Sequence, residues 1–479
     1  MASISPFLNA PLPFDFKPNI ITVPRTTTTS LKSRTTSRFA AIETLCRLDR
    51  DRNSLKLLFE GIAEECRLTP DDRGLGRNMV YGVLRQRQYL QLLIELLSRY
   101  PLRKLDLFIL HGLEVGLYQL FFLDRVPESA AVNETVKALK TARIPVRLHG
   151  FVNGILREAI RRKPTLPPPG KDLTGSDCLN HPAWLTERWR RHFGEEEMRR
   201  ICACNNREAL LVLRVNTAKI TGEMFRDLLD RQGISSRKGA YAPDAVVLPE
   251  YQGGISLLPG YDDGLFQVQD EAAQLATLLL RPIIPGGLYL DACAGLGGKT
   301  CHLVQLESEY DLHITAIEPE RSRFEKLGEN LQRLYPHTSC TTHLTALQEF
   351  AGRSSTLFHG VLVDAPCSGT GVTGRHPDIR WNRREEDLKR YQAGQLDLLE
   401  QAAGLVFRDG LLVYATCSLE PEENIMVVER FLGKHPDFQL TDPSPWLPAE
   451  GGHLVEKNVF CPRPDESIDG FFAARLQRR

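Results

Sequence analysis

At 479 residues the chain is too long for one ordinary domain, and two or three domains are expected. Its 42% hydrophobic and 25% charged residues are those of a globular protein, and no apolar run reaches the roughly 18 residues of a membrane span. Lysine plus arginine balances aspartate plus glutamate at 60 each, which neither supports nor excludes a nucleic-acid partner, because binding depends on clustered charge. Eleven cysteines in a chain this long are no disulfide framework; a reduced, cytoplasmic setting fits them best.

Residues 1–37 stand apart, with a Thr/Ser/Arg cluster from Thr26 to Arg38 and almost no acid. A disordered leader, a miscalled start and an organelle transit peptide all fit; a secretory signal does not, because no compact apolar core precedes a small-residue cleavage site. From residue 38 to 163 apolar residues recur at helical spacing. Phe39, Ile42, Leu45 and Leu48 share one face, and Leu55, Leu58, Phe59 and Ile62 another. Thr69-Pro70-Asp71-Asp72 reads as an N-cap, a proline at the first helical position and two acids at the positive helix end. That helix buries Leu75, Met79, Val83 and Leu84, and further apolar stripes cover 90–97, 105–121 and 151–160. With no strand-period run among them, this is an all-helical domain.

The proline-rich stretch Lys163 to Gly170 opens a linker over 164–180. Residues 181–264 read as a small α+β module: a helix near Trp184 to Phe193, a strand over 209–215, a helix from Thr221 to Arg231 and a strand at Val246 to Leu248. Cys202 and Cys204 have CxC spacing without a matching Cys/His pair, so they read as ordinary helix residues, and no metal site is expected. From 265 to 479 strands and helices alternate, with strands at 288–292, 313–317, 360–364 and 411–415 and a long helix over 385–407. This implies a largely parallel sheet covered on both faces, with ligands beyond the carboxyl ends of its strands.

Those strand ends carry the unusual chemistry. Asp291 to Thr300 is a glycine loop opening a helix, where backbone passes close to a ligand and the helix end favours negative charge. A Walker A loop needs glycine five residues before Gly298-Lys299-Thr300, and that position is Cys293. Alone, the loop indicates only a nucleotide-like cofactor. Glu318 ends the next strand at the spacing of an acid that accepts ribose hydroxyls, though an exposed strand-end acid is the plainer alternative. Asp364-Ala-Pro-Cys367-Ser368 and Thr416-Cys417-Ser418 end two more strands. A single cysteine is usually core packing; two in polar turns just past strand ends fit that poorly. A thiolate is what carbon 6 of cytosine needs to make carbon 5 nucleophilic, with an acid near N3 and a base for the carbon-5 proton.

These four motifs together resemble the RNA cytosine-5 methyltransferases of the NOL/NOP/Sun group, and within it the bacterial RsmB/Sun type that modifies small-subunit (16S) ribosomal RNA. The resemblance covers nearly everything after residue 38 and is densest over 361–381 and 411–424. It implies a NusB-like RNA-binding N-terminal domain, best matched at Asn133-Glu134 and Phe151 to Arg157, and a Rossmann-like methyltransferase domain at the C-terminus. By resemblance, Cys417 is the nucleophile, Cys367 assists product release and Asp364 contacts the cytosine and the cofactor region. Cys293, Ala294, Gly295, Leu296, Gly297, Gly298, Lys299 and Glu318 would hold S-adenosylmethionine. DNA cytosine methyltransferases use only a Pro-Cys nucleophile, so the second cysteine argues for RNA.

The chain departs from the family pattern at two places. Leu296 stands where the family has proline, and the acid usually near the adenine falls at Thr345, whose hydroxyl is the remaining candidate. Arg375 and Arg380, with Trp381, suit phosphate contact and base stacking, with a structured loop bearing exposed charge as the lesser alternative; Arg161-Arg162-Lys163 reads equally as an RNA contact or a solvated helix end. The expected protein is a monomeric enzyme acting on ribosomal RNA, with the helical domain and the α+β module both binding and positioning that RNA. A P-loop ATPase and a catalytically dead RNA-binding factor are the rivals.

Overall fold

The computed structural model describes residues 36–50 and 54–479. The expected leader, 1–37, lies almost wholly outside them. The chain divides into two compact units, one made of the described residues up to Arg207 together with His376–Asn382, the other of Glu208–Arg375 and Arg383–Arg479.

The first unit is helical: α1 (Ser37–Leu48), α2 (Leu55–Glu65), α3 (Pro70–Arg85), α4 (Arg87–Leu97), α5 (Leu107–Phe122), α6 (Glu128–Thr141), α7 (Val146–Arg162), α8 (Ala183–Phe193) and α9 (Glu195–Asn205). The cap expected at Thr69 forms, its hydroxyl accepting from the Asp72 amide at 3.2 Å with Pro70 opening α3. Helix α5 is apolar nearly all round and is buried from Phe108 to Phe121 apart from Leu110, as a helix enclosed by α1, α3, α6 and α7 must be. Helices α8 and α9, expected with the α+β module, cluster with this unit by their contacts.

Four charged side chains meet inside this unit. Arg87 pairs with Asp49 (2.5 Å), and His111 lies 2.7 Å from Glu114 and 3.1 Å from Asp49. His111 and Glu114 have no exposed surface. Burial disfavours the imidazolium, yet Glu114 and Asp49 outweigh it and raise the His111 pKa to about 9.

The second unit begins with β1 (Leu211–Val215), α10 (Gly222–Asp230), β2 (Arg237–Lys238), β3 (Ala245–Leu248) and β4 (Phe266–Val268). Its four strands form an antiparallel sheet in the order β2-β3-β1-β4, backed by Phe225 and Leu229 of α10. Strand β4 lies beyond residue 264, so this sheet outruns the boundary expected for the module.

There follow α11 (Glu271–Leu278), β5 (Leu288–Asp291), α12 (Gly298–Gln305), α13 (Glu307–Tyr310), β6 (His313–Ile317), α14 (Arg321–Leu334), β7 (Thr341–His343), α15 (Leu347–Arg353) and β8 (Phe358–Asp364). Then come α16 (Ile379–Asn382), α17 (Asp387–Ala403), β9 (Val406–Thr416), α18 (Ile425–Lys434), β10 (Phe438–Thr441), β11 (Val455–Glu456), β12 (Val459–Phe460) and β13 (Phe472–Arg478). Among the described residues these strands make a nine-stranded sheet, order β11-β12-β13-β9-β8-β5-β6-β7, with β10 on β13. From β9 to β7 the pairing is parallel; β10 to β13 add an antiparallel side that the strand pattern did not announce. Alternate residues serve opposite faces: Leu362 and Val413 join one core, Val361, Val363, Leu412 and Tyr414 the other.

Residues 376–382, including α16, belong to the first unit. There Arg380 is fully buried, donating to the Asn180 and Asn205 carbonyls and to Asn206 Oδ1. Trp381 Nε1 donates to the Leu84 carbonyl, and its ring lies 5.7 Å from the Arg87 guanidinium.

The His111 cluster generates a pH prediction. A pKa raised from 6.5 to about 9 gives stability that is complete below the unfolded value and is lost as pH rises through about 9. Calorimetry of the full chain should show the unfolding transition of the helical unit falling by several degrees from pH 6 to pH 9.5, roughly. His111→Asn should lower it at pH 6 and flatten that slope; an unchanged slope would remove His111 as its source.

Candidate active site

Strand β5 ends at Asp291, which is 1% exposed and accepts from Thr300 Oγ1 (2.7 Å) and from the Cys293 amide (3.3 Å). Burial leads the causes that raise its carboxyl to about 6. The loop then turns through two left-handed glycines, Gly295 (φ 57°) and Gly297 (φ 87°), into α12. A Cβ on Gly297 would meet Leu327 Cδ1 at 2.7 Å, whereas one on Gly295 would meet nothing within 4 Å. Gly297 is therefore needed for both its conformation and its packing, and Gly295 faces open space at a strand end. The Cys293 thiol is pushed well up by burial, with Asp291, Asp364 and Glu318 adding to it. Leu296, at the position where the family pattern has proline, is 50% exposed.

Glu318 follows β6 and is 3% exposed. Its carboxylate accepts from the Gly295 amide (2.9 Å) and the Glu320 amide (2.8 Å), so the acid and the glycine loop are tied together. Thr345 lies just past β7, and its hydroxyl donates to Glu349 Oε2 at 3.1 Å. At the end of β8, Asp364 takes an ion pair from Lys299 Nζ at 2.6 Å, and that ammonium sits 5.2 Å from the Phe471 ring.

The turns after β8 and β9 lie side by side. Cys367 Sγ and Cys417 Sγ are 3.2 Å apart, both half-buried. The Cys367 thiol is held well above its usual range by its hydrogen bond with Cys417 and by burial, and the charge of Glu423 adds to this. Ser368 and Ser418, each following a cysteine, are fully buried and have their hydroxyls 3.2 Å apart. Both donate to Glu423 Oε2, while Glu423 Oε1 accepts from the Ser368 amide (2.8 Å) and Gln395 Nε2 (3.0 Å). An unsatisfied carboxylate with no exposure would cost several kcal/mol; four donors remove most of that penalty. Gly371 closes the arrangement: its amide donates to the Cys417 carbonyl, and a Cβ there would lie 2.2 Å from the Gly470 carbonyl.

The expected loop, Glu318, Asp364 and both cysteines thus line up along the carboxyl ends of neighbouring strands. Arg375 and Arg380 depart from the expectation that both face RNA. Arg375 is held by Asp270 (2.8 Å), Asp469 (2.5 Å) and the Leu210 carbonyl (2.7 Å), and Arg380 has no exposed surface. Arg380, enclosed by protein acceptors, is closed to a phosphate; Arg375 keeps 24% of its side chain exposed, and its donors are taken by the two carboxylates and the carbonyl. Glu423 was not singled out because Glu420-Pro-Glu-Glu-Asn424 reads as a solvated acidic turn. Asp270 and Asp469, distant in sequence from Arg375, carry no signal that pairs them with it.

The donor chemistry fits S-adenosylmethionine. A buried carboxylate at Glu318 suits ribose hydroxyls, and two further acids at strand ends suit a cationic sulfonium compound. A glycine-loop Rossmann-like sheet with this acid and two cysteine turns fits the class of S-adenosylmethionine-dependent methyltransferases.

Comparison with known proteins makes the class specific. The profile of the 16S rRNA methyltransferase RsmB/F family matches residues 278–477, that of the NusB family residues 35–161, and that of the RsmF/B-like ferredoxin-like domain residues 181–252. The ribosomal RNA small subunit methyltransferase B of Vibrio cholerae is 36% identical over 421 residues, covering 87% of this chain and 92% of that protein. Its counterpart from Erwinia tasmaniensis is 32% identical over 455 residues, covering 94% and 100%. The crystal structure of PH0851 has the same fold, with a TM-score of 0.74 at 22% identity over 95% of this chain and all of that one. A methyltransferase homologue from Pyrococcus horikoshii, 28% identical, covers 63% of this chain and 96% of its own with a TM-score of 0.53. The chain belongs to the RsmB family of 16S ribosomal RNA methyltransferases. A NusB domain and a Rossmann-like domain are therefore among its parts, as the resemblance implied; the small α+β module is a ferredoxin-like domain, and S-adenosylmethionine is its cofactor. No described helix is long and apolar enough to cross a membrane.

The Glu318–Gly295 tie predicts the effect of losing the acid. Glu318→Ala should weaken S-adenosylmethionine binding about tenfold or more, from the loss of charge-assisted hydrogen bonds, measured by titration calorimetry without RNA. Unchanged affinity would take Glu318 out of the cofactor site.

Proposed function

We propose that this enzyme methylates carbon 5 of a cytosine in small-subunit ribosomal RNA through a covalent adduct with Cys417. The observation that carries the proposal is the pair of thiols 3.2 Å apart at the ends of two adjacent parallel strands. The names of the curated relatives support the substrate, since they act on small-subunit ribosomal RNA.

In this proposal Glu318 and the loop from Cys293 to Lys299 hold S-adenosylmethionine, which supplies an electrophilic methyl group. The Cys417 thiolate adds to carbon 6 of an unstacked cytosine. The electrons of the carbon 5–carbon 6 double bond shift into the ring, and N3 takes a proton from the Asp364–Lys299 pair. Carbon 5 is then nucleophilic. After methylation, which releases S-adenosylhomocysteine, the remaining carbon 5 proton passes to water and its electrons re-form the carbon 5–carbon 6 double bond. The carbon 6–sulfur bond breaks with its electron pair returning to Cys417, and N3 gives its proton back to the Asp364–Lys299 pair. Cys367, kept protonated by its neighbours, donates S–H to that sulfur and stabilises it both as nucleophile and as leaving group. Thr345, which donates its hydroxyl hydrogen to Glu349, keeps its oxygen lone pairs to accept from the adenine amino group. No role is assigned to Arg375 or Arg380 at the RNA.

Denaturing electrophoresis of the enzyme with labelled RNA tests the division of labour. Cys417→Ala should give neither methylation nor a covalent band. Cys367→Ala should attack and methylate but release slowly, leaving a band that survives denaturation. The opposite pattern would exchange the two roles, and methylation without an adduct in either variant would sink the covalent route.

A further inference from the structure

Glu423 has no exposed surface, so it touches neither RNA nor cofactor, and the chemistry above does not use it. Its surroundings are nevertheless built around the two cysteines. Ser368 and Ser418 directly follow Cys367 and Cys417, and both serine hydroxyls end on one carboxylate oxygen. The other oxygen takes the Ser368 amide and Gln395 of α17, whose side chain also reaches the Pro366 carbonyl at 3.0 Å. The main chain at this position is fixed as well: Tyr414 of β9 donates to the Glu423 carbonyl at 2.5 Å, and Asn424 Nδ2 donates to the Ser418 carbonyl at 2.8 Å. The serine oxygens and the cysteine sulfurs repeat the same spacing of 3.2 Å.

We propose that Glu423 is a positioning residue whose single carboxylate spans the two cysteine turns, sets the contact between the thiols and so assigns Cys417, rather than Cys367, as the nucleophile. The assignment of roles rests on the covalent reading above. Two serine hydroxyls without a shared acceptor would be free to rotate or to bond elsewhere, and the turns would lose the clamp that fixes their separation. The negative charge acts in the same direction. It lies behind Cys367, bonded to the amide of the next residue, and disfavours a second thiolate there. The other titratable or charged groups around Cys367 are Cys417, Tyr414 of β9, and Arg383, whose guanidinium donates to the Ser368 carbonyl at 3.1 Å.

The test uses the full chain with Glu423→Gln, which keeps the volume, removes the charge and puts a donor where an acceptor stood. Two quantities are read: kcat and KM for RNA, and the rate at which iodoacetamide alkylates Cys367 and Cys417 as pH varies, mapped by peptide mass. The kcat should fall on the order of 100-fold, the scale for misplacement of a reacting group, with KM for RNA unchanged. Alkylation of Cys367 should move to lower pH. Glu423→Asp keeps the charge but not the span, so it should restore the alkylation profile and leave kcat low. Unchanged kcat together with an unchanged alkylation profile in Glu423→Gln would overturn the proposal. Should that variant fail to fold, Ser368→Ala and Ser418→Ala each remove one bond, and wild-type kcat in both would overturn it equally. Alkylation does not depend on methyl transfer. A shifted profile in an enzyme that forms no adduct would therefore reject the covalent reading while leaving the placement of Glu423 standing.

Discussion

The parallel pairing of β8 with β9 is the constraint on which the site depends. Asp364 stands opposite Ala415, and the ladder runs one step further as the Ala365 amide donates to the Ala415 carbonyl. A shift of one residue would reverse which side chains face which core and would carry the turns past each other. With the register fixed, Cys367 and Cys417 leave their strands at nearly the same level, fifty residues apart in sequence. The alternation of Leu362 with Val361 and Val363 between two cores holds that register. Core packing on both faces of the sheet is thus what brings two thiols into contact.

A second layer of support comes from the far side of β9. Strand β13 pairs Phe472 with Thr416, so the residues just before it, Asp469 to Phe471, arrive beside the cysteine turn. Gly470 donates to the Gly371 carbonyl, and Gly371 to the Cys417 carbonyl. Phe471 gives the Lys299 ammonium an aromatic face while Asp364 gives it a charge. Asp469 shares Arg375 with Asp270; burial, and the neighbouring Asp270 charge, raise its carboxyl to about 7 even with the guanidinium beside it. The antiparallel strands therefore brace the chemistry as well as extending the sheet.

Local pattern carried much of this. Helical period, the Thr69 cap, the strand-end positions of Asp291, Glu318 and Asp364, and the two cysteine turns are all properties of short windows, and they were legible. What escaped depends on partners far away. Strands β11 and β12 have two residues each, too short for any period. Arg375 and Arg380 have the composition of an RNA contact, and only tertiary structure reveals the acceptors that engage them. Glu423 looks like a solvated acid for the same reason.

The arginines also explain why the charge balance was silent. Arg87, Arg214, Arg380 and Arg475 are all buried. Arg214 reaches the Gly298 carbonyl and Gln267, and Arg475 the carbonyls of Leu279 and Arg281. These side chains tie segments together as multidentate donors, a role the planar guanidinium fills better than a lysine ammonium. Each counts toward the 60 basic residues, yet none presents charge to solvent. The field that a polyanion meets is set by the remainder, the exposed cations such as Arg161 at the end of α7, whose side chain is 76% accessible. A chain can therefore be neutral in sum, use part of its arginine as internal scaffold, and still act on RNA, because recognition responds to where charge is exposed.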